Sequence, residues 1–217
     1  GVLFNGQEPT SGALDALRAL RRTGKRVVIL SNAPRRAYLV EKRMNEIGIP
    51  AGLYDHVHSS GEETWQHLSK RDDAFYASLG QACYHIGPVR DDNMVEGVGL
   101  HRVPSIEDAD FILNTLIGPS SQAFVEAYWA LGQADPAFAP EHRPIISCNW
   151  TEGEAAALGP KAAGHLTVAP YFEAAPTAAN HAFLATARRF APAQSRVSAF
   201  FVQAYAASTP KIDQIPR

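Results

Sequence analysis

The sequence has little cysteine, almost no net charge and no long apolar run. Its 217 residues include two cysteines, Cys83 and Cys148, too few for a disulfide framework and without the spacing of metal ligands. The formal net charge of −2 excludes the strongly basic surface on which binding to nucleic acid or to an acidic membrane depends. No apolar run approaches the ~20 residues of a membrane helix. We therefore predict a chain with no nucleic acid or membrane partner and with two reduced thiols in its core.

The first residues also lack a starting Met and the basic segment of a secretory signal peptide. Together with the scarcity of cysteine, this predicts a cytoplasmic protein. Hydrophobic residues make up 46% of the chain, which is enough for a sizeable core in one large or two small domains.

Apolar patterns alternate between strand and helix periods along the first part of the chain. The run 2–4 predicts a short strand, 9–24 a helix, and the β-branched run 26–30 a strand covered on both faces. A second helix follows Pro34 and ends at Gly48. This order predicts parallel strands joined by right-handed crossovers, and hence an α/β fold with a Rossmann-like parallel sheet.

The alternation continues to residue 148. Trp65, Phe124 and Trp129 lie at helical positions and are predicted to be core residues. Further strands are predicted at 56–60, 82–86, 100–103, 110–115 and 144–148, and further helices at 62–68 and 120–131.

A polar turn follows the strand 26–30. In parallel sheets, ligands bind beyond the carboxyl ends of the strands, and this strand ends in Ser31, Asn32 and Ala33 before a helix. The first N–H groups of a helix favour an anion, and the Ser31 hydroxyl can donate to a phosphate oxygen. The same residues could equally serve as a plain turn and helix cap. Both interpretations stay open on these residues alone.

Several motifs together resemble the haloacid dehalogenase (HAD) hydrolases of class IIA, which include phosphoglycolate- and nitrophenyl-phosphatase-like proteins. The similarity covers residues 1 to about 149. Its motifs are Gly1-Val2-Leu3, Ser31-Asn32-Ala33-Pro34-Arg35, Ser59-Ser60-Gly61-Glu62, His85-Ile86-Gly87-Pro88 and the segment 107–115.

The resemblance implies a Mg²⁺-dependent phosphatase that acts on a small phosphorylated metabolite through an aspartyl-phosphate. It implies a core domain over residues 1–61 and an inserted α/β cap domain over 62–149. Ser31, Asn32 and Ala33 would bind the phosphoryl group. Arg35 and Glu62 are weaker candidates for substrate binding. Arg35 could instead belong to a solvated helix start, and Glu62 could cap the helix that it opens.

Other motifs of the family are incomplete. The nucleophilic Asp is expected just before Gly1, and neither Lys161 nor Lys211 stands in the family's Gly-Lys-Pro motif. No Gly-Asp pair follows residue 149, so Asp213 stands alone and carboxylate ligands for Mg²⁺ are lacking.

Composition also changes near residue 149. Residues 149–217 contain 19 Ala and one Asp. We therefore predict a divergent or frameshifted tail over 150–217, and a chain that is truncated and inactive as a phosphatase. The alternative is a non-catalytic α/β module that binds an anion or a protein.

Overall fold

The computed structural model describes residues 3–189 and Val197. Helices and strands alternate along nearly all of this length, which confirms the α/β class. In chain order the elements are α1 (Ala13–Arg22), β1 (Val28–Ser31), α2 (Ala37–Glu46), β2 (His56–Ser59), α3 (Ser60–Lys70), α4 (Ala74–Ser78), β3 (Ala82–Ile86), β4 (His101–Arg102), β5 (Phe111–Asn114), α5 (Pro119–Ala134), β6 (Ile145–Ser147), α6 (Glu152–Leu158), β7 (Leu166–Thr167) and α7 (Ala178–Ala187).

The first two strands form a parallel pair. Val28 lies opposite His56 and Ser31 opposite Ser59, with α2 as the crossover between β1 and β2. Apolar residues of α1, α2 and both strands pack into one core because the apolar positions of each helix fall on a single face. Its buried members are Leu17, Val27, Ile29, Val40, Met44, Ile49, Tyr54 and Val57.

The predicted strand at 2–4 is not observed in the described residues. Phe4 instead forms an isolated antiparallel bridge with Pro9. The side chain of Asn5 accepts hydrogen bonds from the backbone N–H groups of Gln7 and Glu8, which turns the chain back on itself. The predicted pairing of this segment with the next strand is therefore wrong for Leu3 and Phe4, while Gly1 and Val2 lie outside the described residues.

The prediction that the strand 26–30 is covered on both faces is also wrong in the part of the chain that the structure describes. Val28 is 55% exposed and Leu30 is 47% exposed, whereas Ile29 between them is buried. The α-helices that pack on β1 contact only its Ile29 face. A continuous apolar run does not by itself show whether other elements pack on both faces of the strand.

A second sheet contains five parallel strands in the order β4, β3, β5, β6, β7. Successive residues of the central strands point into different cores. Phe111 and Leu113 pack with α3 and α4, while Ile112 packs with α5 and α6 on the opposite face. Helices therefore pack on both faces of this sheet, as is usual for buried parallel strands.

Several predicted core positions can be checked in this second unit. Cys83 and Cys148 are free and buried, as predicted, and burial raises the pKa of each thiol to about 12. Trp129 is wrong as a core residue, since it is 38% exposed on the outer side of α5. Trp150 is buried instead, and its indole N–H donates to the Ser121 hydroxyl at 2.7 Å. No helix within the described ranges is long and apolar enough to cross a membrane.

The domain limits at residues 61 and 149 stay predictions. The first of them falls inside α3, because this helix begins at Ser60. The second separates β6 from β7, although these strands pair through Ile146 opposite Leu166 and Ser147 opposite Thr167. The first part of the predicted tail thus adds a strand to the sheet, and the tail beyond residue 189, apart from Val197, lies outside the described residues.

His165 makes folding depend on pH. The backbone N–H of Ile145 donates to its Nδ1 at 3.1 Å, which requires a neutral ring. Burial lowers the pKa of His165 to about 4, against a weak opposing effect of Glu141. The unfolded chain, with a His pKa of about 6.5, binds a proton that the folded chain does not, so stability falls as the pH drops from about 6.5 towards 4.

We expect His165 to cost roughly 2 kcal/mol of unfolding free energy at pH 5 relative to pH 7. Urea unfolding at the two pH values measures this difference, and His165→Gln should reduce it by about that amount. His101→Gln is the matched control, because His101 is exposed and should leave the difference unchanged. An undiminished pH dependence in H165Q would contradict the assignment.

Candidate phosphoryl-binding loop

The candidate site is the loop between β1 and α2, defined here as residues 31–36. The end of β2 and the start of α3 hold this loop in place. The carbonyl oxygen of Ala33 accepts from the Gly61 N–H at 3.1 Å and from the Ser60 hydroxyl at 3.2 Å. The carbonyl oxygen of Arg35 accepts from the Ser59 hydroxyl at 2.6 Å. Residues 59–61, noticed in the sequence only as a motif, therefore set the loop's conformation.

Gly61 allows this close approach. A Cβ added at this position would lie 2.2 Å from the backbone nitrogen of Arg35 and 2.6 Å from its carbonyl oxygen. Because these are backbone atoms, no side-chain rotation could relieve the contact. Glycine is thus required here for packing between two segments, and its φ is not in the left-handed region.

The three predicted phosphoryl-binding residues lie together in this loop. The Ser31 Oγ accepts from the Ala33 N–H at 3.2 Å, which leaves the hydroxyl proton available to an acceptor. The Asn32 side-chain amide donates to the carbonyl oxygen of Asn149 at 3.3 Å. Its Oδ1 is buried and has no hydrogen-bond partner within the described ranges. The loop thus presents a free hydroxyl donor beside an amide whose polar groups are not all satisfied.

Glu62 faces α2 and does not cap its own helix. Its carboxylate accepts from Arg36 Nε at 2.8 Å and from the Ala37 N–H at 2.9 Å. Burial opposes ionisation of Glu62, but these hydrogen bonds outweigh it and hold the pKa of the carboxyl below its usual range. The N-cap of α3 is Ser59, which accepts from the Glu62 N–H. The expectation that Glu62 caps the helix it opens is therefore wrong.

This contact changes where an anion could bind. The sequence predicts an anion at the start of α2, but the first N–H of α2 already has a negative partner in Glu62. The donor that remains for an anion is the Ser31 hydroxyl, at the end of β1.

Arg36 links the loop to the second sheet's unit. Its guanidinium lies 3.6 Å above the centre of the Trp65 ring while it pairs with Glu62. The Trp65 indole N–H donates to the Glu96 carbonyl at 2.8 Å. Trp65 is thus an intermediate contact between the loop and the segment that follows β3.

Arg35, the other weak candidate, faces a buried carboxylate. Its Nε lies 3.6 Å from Asp91 Oδ1, beyond hydrogen-bond distance, and the Asp91 side chain is 1% exposed. Neither carboxylate oxygen has a hydrogen-bond partner within the described residues. Burial raises the pKa of Asp91 against the opposing charge of Arg35, and burial also lowers the pKa of Arg35. Asp91 was not predicted from the sequence. The only signal there is its position next to Asp92, shortly after Pro88.

The described residues do not fit a Mg²⁺ ion at this loop. The carboxylates that contact it, Glu62 and Asp91, are directed at Arg36 and Arg35. Lys161 pairs with Glu126 on α5 at 2.8 Å, while Lys211 and Asp213 lie outside the described residues. Mg²⁺ needs oxygen ligands in near-octahedral geometry, and no such carboxylate group faces the loop in residues 3–189.

Parallel strands, crossover helices and a Ser-Asn loop at the carboxyl end of a strand define an α/β protein of the Rossmann-like class. Residues 1–101 match the family model described as haloacid dehalogenase-like hydrolase. This first part of the chain is therefore similar to the haloacid dehalogenase-like hydrolases, as the sequence motifs predicted. Residues 92–209, more than half of the chain, match the model described as periplasmic binding protein domain, and this segment belongs to that family as well. Among curated proteins, none matches the chain.

A comparison with solved structures found further similarities. A haloacid dehalogenase-like hydrolase from Brucella suis 1330 is 22% identical with a TM-score of 0.59, over 87% of this chain and 71% of that one. This likeness shows the fold across both matched segments.

Two others have lower scores. A glycerol phosphate phosphatase from Mycobacterium tuberculosis, in complex with calcium, is 25% identical with a TM-score of 0.44, over 68% of this chain and 40% of that one. A 4-nitrophenylphosphatase from Thermotoga maritima is 20% identical with a TM-score of 0.45, over 68% and 51%. This chain spans about half of these two proteins or less.

Proposed function

We propose that the loop 31–36 binds the phosphoryl group of a small phosphorylated metabolite, and that the chain is part of a phosphatase of the class IIA type. The observation that carries this proposal is the Ser31 hydroxyl, whose oxygen is fixed by the Ala33 N–H while its proton stays free to donate. The cytoplasmic location predicted from the sequence stays part of the proposal.

Each loop residue has a defined part in this binding. Ser31 donates to a phosphoryl oxygen, and Asn32 is held against Asn149 so that its amide lines the same end of β1. The hydrogen bonds from residues 59–61 hold the backbone of the loop in this conformation when an anion binds. In the family, Mg²⁺ supplies neutralisation of the phosphoryl oxygens.

Replacing Ser31 with Ala should weaken binding of inorganic phosphate by about 10- to 100-fold, because a hydrogen bond to a charged group contributes about 1.5–3 kcal/mol. Isothermal titration calorimetry of the full chain with inorganic phosphate measures the change. Ser11→Ala is the matched control, since Ser11 lies in an exposed turn before α1 and should bind like the wild type. Equal phosphate affinity in S31A and S11A would refute the assignment of Ser31.

For turnover, we propose that the 217 residues by themselves do not hydrolyse p-nitrophenyl phosphate in the presence of Mg²⁺. Glu62 is hydrogen-bonded to Arg36, and Asp91 is buried opposite Arg35, so neither carboxylate at the loop is placed to attack phosphorus. Clear hydrolysis that is lost in S31A would overturn this part of the proposal and leave the binding role standing.

A second candidate is a non-catalytic binding module, and the match of residues 92–209 to the periplasmic binding protein domain favours it. Proteins of that kind close around a small ligand by a hinge. The loop 31–36 can hold an anion under either candidate, so the hydrolysis assay separates them: turnover of p-nitrophenyl phosphate that is lost in S31A would exclude the binding module.

A further inference from the structure

Unpaired polar atoms border the loop 31–36 on the side of the second sheet. Asp91 lies in the segment Val89–Val95, which follows β3, and its side chain is 1% exposed. Both Asp91 carboxylate oxygens, Arg35 Nε and Asn32 Oδ1 are buried and have no hydrogen-bond partner in the part of the chain that the structure describes. The large majority of buried side-chain polar atoms in folded proteins do have such a partner. These atoms therefore indicate that a further polar group binds here.

The three side chains border one place. Arg35 Nε lies 3.6 Å from Asp91 Oδ1. Burial raises the pKa of the Cys148 thiol to about 12, and the charge of Asp91 adds to this effect, so Asp91 lies near Cys148. The next residue along the chain, Asn149, accepts from the Asn32 amide through its carbonyl oxygen at 3.3 Å. The unpaired atoms thus meet between the carboxyl end of β1 and the segment after β3.

Contacts on both sides hold the gap between Arg35 and Asp91 open. The carbonyl oxygen of Arg35 accepts from the Ser59 hydroxyl at 2.6 Å. On the other side, the Asn93 amide donates to the Tyr38 hydroxyl at 2.8 Å, which fastens the segment that carries Asp91 to α2. The gap of 3.6 Å is too long for a hydrogen bond, and a third group that bonds to both side chains would bridge it.

The unpaired atoms select the chemistry of that group. The Asp91 carboxylate and Asn32 Oδ1 accept hydrogen bonds, so the group must donate, while Arg35 Nε donates, so the group must also accept. A hydroxyl does both. A carboxylate cannot donate and would be repelled by Asp91, an ammonium group cannot accept, and an apolar group would leave every one of these atoms unpaired.

We propose that this place is a subsite for hydroxyl groups of the substrate, and that the substrate is the phosphate monoester of a polyol. This inference rests on the proposed function, because Ser31 would bind the phosphoryl end while the carbon chain extends past Asn32 towards Asp91. A site built to hydrogen-bond the hydroxyls of a substrate disfavours an analogue that lacks them, since the buried polar groups then stay unpaired.

Isothermal titration calorimetry of the full chain with two esters tests the subsite. Erythritol 4-phosphate and n-butyl phosphate have the same phosphoryl group and four carbons, and they differ in their hydroxyls. We expect erythritol 4-phosphate to bind about 10- to 100-fold more tightly, as hydrogen bonds to charged groups provide. The carboxylate-bearing 2-phosphoglycolate should bind about 10-fold or more weakly than erythritol 4-phosphate, because its carboxylate meets Asp91.

Asp91→Asn should lower the affinity ratio of the two esters by about 3-fold or more, because a hydrogen bond to a neutral amide is roughly half as strong as one to a carboxylate. The same variant should bind 2-phosphoglycolate more tightly than the wild type, since the repulsion is removed. Asp108→Asn is the matched control. Asp108 is exposed and precedes β5, so it lies at the opposite edge of the sheet and should leave the ratio unchanged.

The outcomes separate this inference from the proposed function. If both esters bind the wild type equally, the subsite is overturned alone, and the unpaired atoms hold water only. An unchanged ratio in D91N also overturns it. If neither ester nor inorganic phosphate binds, the proposed function and the subsite are overturned together. The wild-type ratio requires no variant, so the test stays decisive even if circular dichroism shows that D91N is unfolded.

Discussion

Phe111→Ala is expected to lower the free energy of unfolding by about 4 kcal/mol, within the range of large-to-small changes at buried aromatic positions. Phe111 is fully buried on the central strand β5. It packs with Leu68 of α3, Met94 and the two cysteines, so its loss leaves a cavity between the sheet and the helices. Urea unfolding followed by circular dichroism measures the change.

Two further variants make this prediction sharp. Phe111→Leu should cost clearly less than Phe111→Ala, because it keeps most of the buried volume, and it remains measurable if the alanine variant does not fold. Val89→Ala should change the free energy of unfolding by no more than about 0.5 kcal/mol, since Val89 is 83% exposed. Similar losses in F111A and V89A would contradict the assignment of this core.

Gly61→Ala is expected to destabilise the fold by about 3 kcal/mol, the upper end of the overpacking range, and to weaken phosphate binding by more than 10-fold. The added methyl group would overlap the backbone of Arg35, so either α3 or the loop 31–36 must move. Movement of the loop displaces Ser31, which is why stability and binding should change together. Urea unfolding and phosphate calorimetry measure the two effects.

Gly52→Ala is the matched control for this substitution. Nothing lies within 4 Å of a Cβ added at Gly52, and its φ is not in the left-handed region. It should be neutral or stabilising by up to about 1 kcal/mol, because alanine restricts the unfolded chain. A Gly61→Ala variant as stable as G52A, with normal phosphate binding, would show that the contact is not needed. A variant that is destabilised but binds normally would separate the loop from the proposed function.

Much of the secondary structure could be predicted from local pattern. The strand at 82–86 has the bounds of β3, and 110–115 encloses β5, because continuous apolar runs between turn residues mark buried strands. The helix that follows Pro34 is α2, whose Val40 and Met44 lie one turn apart on its buried face. The strand β7, of two residues, was not predicted.

The candidate site was predicted less completely. Ser31, Asn32 and Ala33 lie together because they are consecutive in the chain. The hydrogen bond between Arg36 and Glu62 could not be predicted in this way, because these two residues are 26 positions apart. Asp91 approaches Arg35 over a still longer separation. Such contacts depend on how the two sheets' units meet, which no local pattern encodes.

The sequence by itself determined the α/β class, the similarity of residues 1–101 to the haloacid dehalogenase-like hydrolases and the polar turn that ends β1, since each depends on residues close together in the chain. Tertiary structure alone decided that one face of β1 is open and that the start of α2 holds Glu62. Hydrophobic burial and hydrogen bonding act between whichever groups the folded chain brings together. Their outcome therefore depends on packing between elements, which periodicity within one element does not specify.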